Sequence, residues 1–355
     1  MAYNVADGMR RRGLDVTLFA TGNSRFAGRL ASVVPVGLNE DTALNDGVFS
    51  ALHIGELFAR AREFDLINNH FDWKPLTYAL ATDAPPMLTT VHGFSSPQIL
   101  AAYYAGARRS FYCSISNADR DPGLDYLGTT YNGIDPTQFS FSQRAGEYLC
   151  FLGRFHPEKG THLAIEIAKR AGVRLKIAAI PQDEAYFREE IEPHIDGDRV
   201  QFLGAVEREA RDDLLSNALG LVHMTTRPER FGLTLIEAMA CGTPVLGARM
   251  GSIPEIVVDG VTGFLCDGVD EAVAKLPLLA SLDRRACRAH VESTFSIERM
   301  IDRYLQAYAR AVELQVPPPP SAQTLSARKH DWWDRPMAYT EIPPKPSSLR
   351  FPVSS

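Results

Sequence analysis

The sequence predicts an α/β chain of repeated βαβ units, with parallel sheets and two domains. Three observations carry that expectation. Short apolar runs alternate with longer amphipathic segments along most of the chain, as strands buried on both faces alternate with crossover helices. The 355 residues are 45% hydrophobic and 23% charged, enough apolar material for two cores instead of one. The polar stretch NGIDPTQFSFSQRAGE, 132–147, interrupts the alternation near the middle and is the predicted linker.

The opening MAYNVADGMRRRGLDVTLFATG reads as a helix, a stop at Gly13 and a strand at 15–20. In a doubly wound sheet the first strand is central, and the glycine-rich turn after it opens the first helix toward the ligand. This segment has neither, so the first domain is expected to lack them. A version extended upstream by about two dozen residues, the reach of a strand and its turn, is expected to be more stable and more active. A helix over 50–62 and strands over 65–70, 87–92 and 110–116 complete the first half. Past the linker, strands over 148–153, 174–180, 199–204, 220–224 and 243–248 alternate with helices over 161–171, 183–195 and 208–217. An amphipathic helix over 296–313 is followed by VPPPP, which neither a helix nor a central strand accommodates. Residues 316–355, including Trp332 and Trp333, are therefore expected to form a Pro-rich disordered tail.

The net charge of −6 supplies no bulk attraction to nucleic acid or to an anionic membrane, so an anionic ligand must be held by local groups. Five scattered cysteines without a Cys-x-x-Cys pair fit reduced thiols and no metal site. No apolar run approaches the roughly 20 residues of a membrane span, and the start lacks a signal-peptide pattern. A cytoplasmic protein is expected.

Two stretches carry chemistry. In ERFGLTLIEAMACGTPV, 229–245, Glu237 is the single charge between Phe231 and Ala248. An unpaired carboxylate is costly to desolvate in so apolar a setting, so something must answer it. Gly232 followed by a helical run leaves unpaired N–H groups near Gly232, Leu233 and Thr234, a seat for phosphate. Glu229 and Glu237 can each accept two hydrogen bonds from vicinal sugar hydroxyls. The alternative for Glu237 is a buried ion pair with an arginine or lysine. In GRFHPEKG, 153–160, Arg154 and Lys159 follow a strand and so sit at the carboxyl edge of a parallel sheet, where ligands bind. Together they suit a diphosphate, as a fork and a point charge that neutralise a leaving group.

GRFHPEKG, the E-x7-E pattern ERFGLTLIE, EAMACGTPV and GSIPEIVVDGVTGFL (251–265), in that order, resemble the retaining glycosyltransferases of family 4. The similarity runs from the first residues to about 313. FATGNSRFAGRLASVVP (19–35) further resembles a branch that includes avilamycin-type glycosyltransferases and tetrahydrobiopterin glucosyltransferases. The resemblance implies two Rossmann-like domains facing a cleft (GT-B type), the first amino-terminally truncated. It divides the chain into an acceptor-side domain (1–143), a nucleotide-sugar domain (144–295), a helix crossing back to the first domain (296–315) and the tail (316–355). It assigns Arg154 and Lys159 to the diphosphate, Glu237 to the ribose and Glu229 to donor-sugar hydroxyls. Gly153 and the backbone of Phe231, Gly232, Leu233 and Thr234 would complete the pocket. His92, in TTVHG, would face the donor sugar, its alternative being a strand-end histidine bonded to backbone. Asn132 and Gly133 would mark the crossing between domains, and Ser116 would approach phosphate or acceptor.

The implied activity is transfer of a sugar from a nucleoside diphosphate sugar, by default UDP-glucose, to an acceptor hydroxyl with retention. No cofactor or metal is expected, and DRD (119–121) and DGD (196–198) are read as turns. The competing readings are a non-catalytic nucleotide-sugar-binding remnant and a sugar-nucleotide 2-epimerase on the same scaffold. Donor base, acceptor and oligomeric state are beyond the sequence.

Overall fold

The computed structural model describes residues 1–80 and 82–315, so the predicted tail, with Trp332 and Trp333, lies outside the described residues. All strands among the described residues pair parallel and fall into three sheets. β1 (Thr17–Phe19) and β2 (Arg29–Ala31) form one by themselves. β3 (Ile67–Asn69), β4 (Met87–Val91), β5 (Ser110–Ser114) and β6 (Tyr126–Thr129) form the second in sequence order. The third holds β7 (Tyr148–Phe155), β8 (Arg174–Pro181), β9 (Val200–Phe202), β10 (Gly220–His223), β11 (Val245–Ala248) and β12 (Gly263–Cys266), ordered β12-β11-β10-β7-β8-β9.

The apolar runs become strands because both faces are covered: every residue of β4, β5, β10 and β11 is buried. Alternation along β4 and β5 divides the first domain into two cores. Met87 and Tyr112 join Leu76 and Tyr103 on one face. Leu88, Phe111 and Cys113 join Val5, Met9, Ile301 and Tyr304 on the other. The second face is thus closed by the first helix (Ala2–Arg11) and the last (Ile297–Leu314), brought together from opposite ends of the described chain. The six-stranded sheet has one large core of its own, with Leu149, Phe151, Ile177, Leu221 and Leu246 at its centre.

The chain passes between domains at two places, and they lie side by side. Ile134 N–H donates to the Phe295 carbonyl at 2.9 Å, and Ile297 N–H donates to the Ile134 carbonyl at 2.9 Å. A side chain at Gly133 would lie 2.6 Å from the Ser296 carbonyl oxygen, so only glycine permits this approach.

Three strands, β2, β6 and β12, are absent from the sequence expectation. They are short, and β2 and β6 are too exposed to leave a clear apolar run. The helix expected over 183–195 is broken into a helical turn (Glu184–Tyr186), a π turn (Phe187–Ile191) and a 3-10 turn (Glu192–His194). Pro193, which has no N–H to give, sits in the last of these. The helix expected over 50–62 runs from Asp46 to Ala59, starting early because the Asn45 side chain accepts from Val48 N–H at 3.0 Å.

Buried Arg284 fastens the linker to the sheet. It donates to the carbonyls of Ser142 at 2.8 Å, Ala218 at 2.9 Å and Ser216 at 2.9 Å, and to Thr243 Oγ1 at 2.6 Å. Arg284→Leu strips all four acceptors of their donor and is expected to cost about 3–5 kcal/mol in urea denaturation. Exposed Arg285→Leu is the control, expected within about 0.5 kcal/mol of the parent. Equal effects of the two would remove Arg284 from this role.

Candidate functional site

After β9 the chain returns to the far side of β7, so the sheet order reverses between β7 and β10. Loops leaving the carboxyl ends of those two strands part there and leave a crevice. The loop after β7 is a tight turn, with Lys159 N–H donating to the His156 carbonyl at 2.9 Å and Gly160 at φ 68°. A side chain at Gly160 would lie 1.8 Å from the Met224 carbonyl oxygen, immediately past β10. Thr226 N–H donates to the Glu158 carbonyl at 3.0 Å, and its hydroxyl donates to the Pro157 carbonyl at 3.1 Å. The two loops are stitched along their backbones.

That stitching sets Lys159 Nζ 2.6 Å from Glu229 Oε2. His223, the last residue of β10, brings Nε2 to 3.1 Å from the same oxygen, and Arg230 N–H donates to Glu229 Oε1 at 3.2 Å. Burial alone would push the Glu229 carboxyl up. Hydrogen bonding and charge from His223 and Lys159 outweigh it and bring the group down to about 2. Glu229 is therefore a weakly basic anion that accepts hydrogen bonds and holds no proton at neutral pH.

The helix Leu233–Ala240 starts where Gly232, at φ 76°, turns the chain. Leu235, Ile236 and Met239 are fully buried against the sheet, while Glu237 faces the crevice with its side chain 15% exposed. Its partner is Arg211, whose Nη1 lies 3.4 Å from Glu237 Oε1. Burial raises the Glu237 carboxyl, and the Arg211 charge opposes this. Glu237 thus has both answers considered for it, a cation beside it and an open cleft before it.

The cleft measures about 500 Å³. Among the predicted site residues it brings together Asn132, Gly153, Arg154, Lys159 and Glu229. From the start of the helix it adds Phe231, Gly232, Leu233, Thr234 and Glu237. Arg154 is exposed and donates to Gln182 Oε1 at 2.6 Å.

Two predicted residues stand outside this lining. Among the described residues the partner of His92 is a side chain and not backbone: its Nε2 meets His70 Nδ1 at 2.9 Å. Burial is the main cause that holds these rings neutral, at about 4 for His92 and about 3 for His70. Ser116, expected near phosphate or acceptor, is fully buried, and its hydroxyl donates to the Arg230 carbonyl at 2.7 Å. It joins the domains instead. Arg230 also donates to the Phe94 carbonyl at 2.8 Å, and its side chain packs where a side chain at Gly93 would stand. Glu255, of the GSIPE motif, accepts from the N–H groups of Asn117 at 2.8 Å and Ala118 at 2.7 Å and from the Tyr131 hydroxyl at 2.9 Å.

The acidic triplets are turns. Asp196 accepts from the N–H groups of Asp198 at 3.0 Å and Val200 at 2.9 Å. Asp121 accepts from the Tyr104 hydroxyl at 2.8 Å and from Gly123 N–H at 2.8 Å. Among the described residues no group of three or more His, Cys, Asp or Glu side chains converges as metal ligands, and no helix is long and apolar enough to cross a membrane.

His223, Arg211, Arg230 and Glu255 are the contributors that the sequence reading missed. His223 ends a buried strand, a position that can be read from the pattern. The role of the other three depends on what the fold brings opposite them.

Residues 138–292 match the family described as Glycosyl transferases group 1. The chain is 34% identical over 219 residues to the D-inositol 3-phosphate glycosyltransferase of Mycolicibacterium smegmatis, covering 56% of this chain and 50% of that one. It is 35% identical over 212 residues to the protein of that name from Mycobacterium marinum, covering 54% and 42%. The chain thus spans about half the length of these relatives, or less. AviGT4, a glycosyltransferase involved in avilamycin A biosynthesis, superposes with a TM-score of 0.65 at 24% identity, covering 89% of this chain and 90% of that one. HepE of Anabaena, solved with UDP, gives 0.67 at 20%, covering 87% and 95%. Sucrose-phosphate synthase of Thermosynechococcus elongatus gives 0.69 at 18%, covering 87% and 92%. These likenesses establish the fold, two Rossmann-like domains facing a cleft.

The depressed Glu229 carboxyl carries a signed pH dependence. Its stabilisation is complete above the ordinary carboxyl value of 4.5 and is lost as pH falls toward about 2. Glu229→Gln is expected to lower unfolding stability at pH 7 by up to about 3 kcal/mol, with the gap to the parent closing as pH drops through that window. Urea titrations at a series of pH values measure it; a gap that stays constant to low pH would contradict the assignment.

Proposed function

We propose that this chain, whose residues 138–292 match the group 1 glycosyltransferases, moves a sugar from a nucleoside diphosphate sugar to an acceptor hydroxyl with retention of configuration. One observation carries the reading. At the switch point of the six-stranded sheet, Lys159 stands 2.6 Å from Glu229 beside the amino end of the helix Leu233–Ala240, all in one cleft.

The chemistry follows from the charges. The donor diphosphate competes with Glu229 for the Lys159 ammonium and takes further hydrogen bonds from the helix N–H groups and Arg154. Glu229, kept ionised, accepts from the donor-sugar hydroxyls, and Glu237 accepts from the ribose diol. As the bond from the anomeric carbon to the diphosphate oxygen breaks, negative charge grows on that oxygen, where Lys159 and Arg154 stabilise it. The sugar becomes oxocarbenium-like. The acceptor oxygen attacks the face from which the diphosphate leaves, and its proton passes to the departing phosphate. Glu229 is too weak a base, held by His223 and Lys159, to serve as nucleophile or proton acceptor. The two cations do the work a metal does in other phosphate-leaving reactions, so turnover without metal is part of the proposal. UDP-glucose remains the default donor; HepE of Anabaena has been solved with UDP and with UDP-glucose.

Incubation with a panel of nucleotide sugars, followed by mass spectrometry, is expected to show nucleoside diphosphate release that persists in EDTA. A requirement for Mn²⁺ would contradict the metal-free mechanism, and a 2-epimer formed without acceptor would point to an epimerase. Lys159→Ala is expected to lower kcat by about 10²–10³ and to change the nucleotide Kd by less than about tenfold. Equal losses in both would reduce Lys159 to a binding residue.

A further inference from the structure

Arg211 has no part in the proposed reaction, yet it lines the same cleft. It projects from the helix Arg208–Ser216, and its guanidinium lies over the Phe139 ring, 5.0 Å from the centroid. Phe139 is itself buried and comes from the linker. The fork is thus pinned by stacking, which fixes its plane without using a hydrogen bond. Nη1 reaches Glu237 Oε1 at 3.4 Å, a long contact for a charged pair. Nε is buried and has no hydrogen-bond partner among the described residues. A buried guanidinium N–H left unpaired is costly, and proteins seldom keep one without use.

We infer that Arg211 is a positioning residue for the nucleoside: it orients the Glu237 carboxylate toward a ribose diol and offers its Nε–H to an oxygen of the same nucleoside. The inference rests on the assignment of Glu237 to the ribose made above. It explains three features together. The 3.4 Å contact leaves the carboxylate lone pairs available, the stacking on Phe139 holds the fork in place, and the buried, unpaired Nε is left to find its acceptor as the fork shifts on binding. Arg211 also answers the burial of Glu237. The cleft contains other charged groups, Arg154, Lys159, His223, Glu229 and Arg230, but the charge acting on the Glu237 carboxyl is that of Arg211.

UDP binding to the full chain, measured by calorimetry between about pH 5 and pH 8, tests this with R211A, R211K and E237Q. R211A is expected to bind UDP about tenfold more weakly, the loss of one charge-assisted hydrogen bond. It should also lose affinity at a higher pH than the parent as the solution is acidified, because Glu237 without its cation takes up a proton sooner. R211K is expected to restore that midpoint, since it keeps the charge, but not the affinity, since it lacks the planar fork and the Nε–H. An R211A protein with parental affinity and midpoint overturns the inference, as does an R211K protein that binds as tightly as the parent. If instead E237Q binds UDP with parental affinity and pH profile, the ribose assignment fails, a result distinct from failure at Arg211 alone. R211K also guards against misfolding of R211A, because it keeps the length and charge of the side chain.

Discussion

Gly160 carries no side chain because the carbonyl oxygen of Met224 already stands 1.8 Å from where its Cβ would be. This close approach is the constraint on which the site depends. It locks the turn after β7 onto the segment after β10, at the one place in the sheet where the strand order reverses. A sheet without a reversal would send neighbouring loops the same way and leave no crevice. A looser contact would leave Lys159 and Glu229 on separate loops, each paying for its own desolvation. Held together, the two charges neutralise each other at 2.6 Å and still face a common cleft.

The opposite wall depends on reciprocal contacts between the domains. Arg230 reaches from the second domain to the backbone at Phe94, while Ser116 reaches back to the Arg230 carbonyl. Glu255 holds the turn at Asn117 and Ala118. The paired crossings at Ile134 and Ile297 sit behind these contacts. The cleft is thus bounded by polar interactions between backbone and charged side chains together with apolar contacts, Ile115 packing into the second domain's core and Tyr131 meeting Phe231 and Phe295. Most of each domain's core is nonetheless its own, as expected of units that adjust to a ligand between them.

Much of this was legible in the sequence where burial dictates composition. β4, β5, β10 and β11 read as apolar runs because both faces are covered, and the glycine and helix of ERFGLTLIE read as an anion seat because the backbone alone creates it. β2 and β6 were illegible because short, half-exposed strands leave no period to detect. The broken helix over 184–194 escaped notice because its acidic, amphipathic text suits a helix until the proline near its end is weighed. Arg211 drew no reading from the sequence, since neither its stacking on Phe139 nor its approach to Glu237 has a local signature. Ser116 and His92 show the reverse. Strand-end polar residues look like site residues, yet one joins the domains and the other meets a half-buried histidine.

The central claim is that the Lys159–Glu229 pair is the anion and sugar-hydroxyl clamp of a nucleotide-sugar site. A crystal structure of the chain with a nucleoside diphosphate sugar tests it most directly. Lys159 is expected to turn onto the diphosphate, Glu229 onto the sugar hydroxyls, and the phosphate to lie against the N–H groups of Leu233 and Thr234. A ligand bound elsewhere, or bound in the cleft with the diphosphate remote from Lys159, would contradict it.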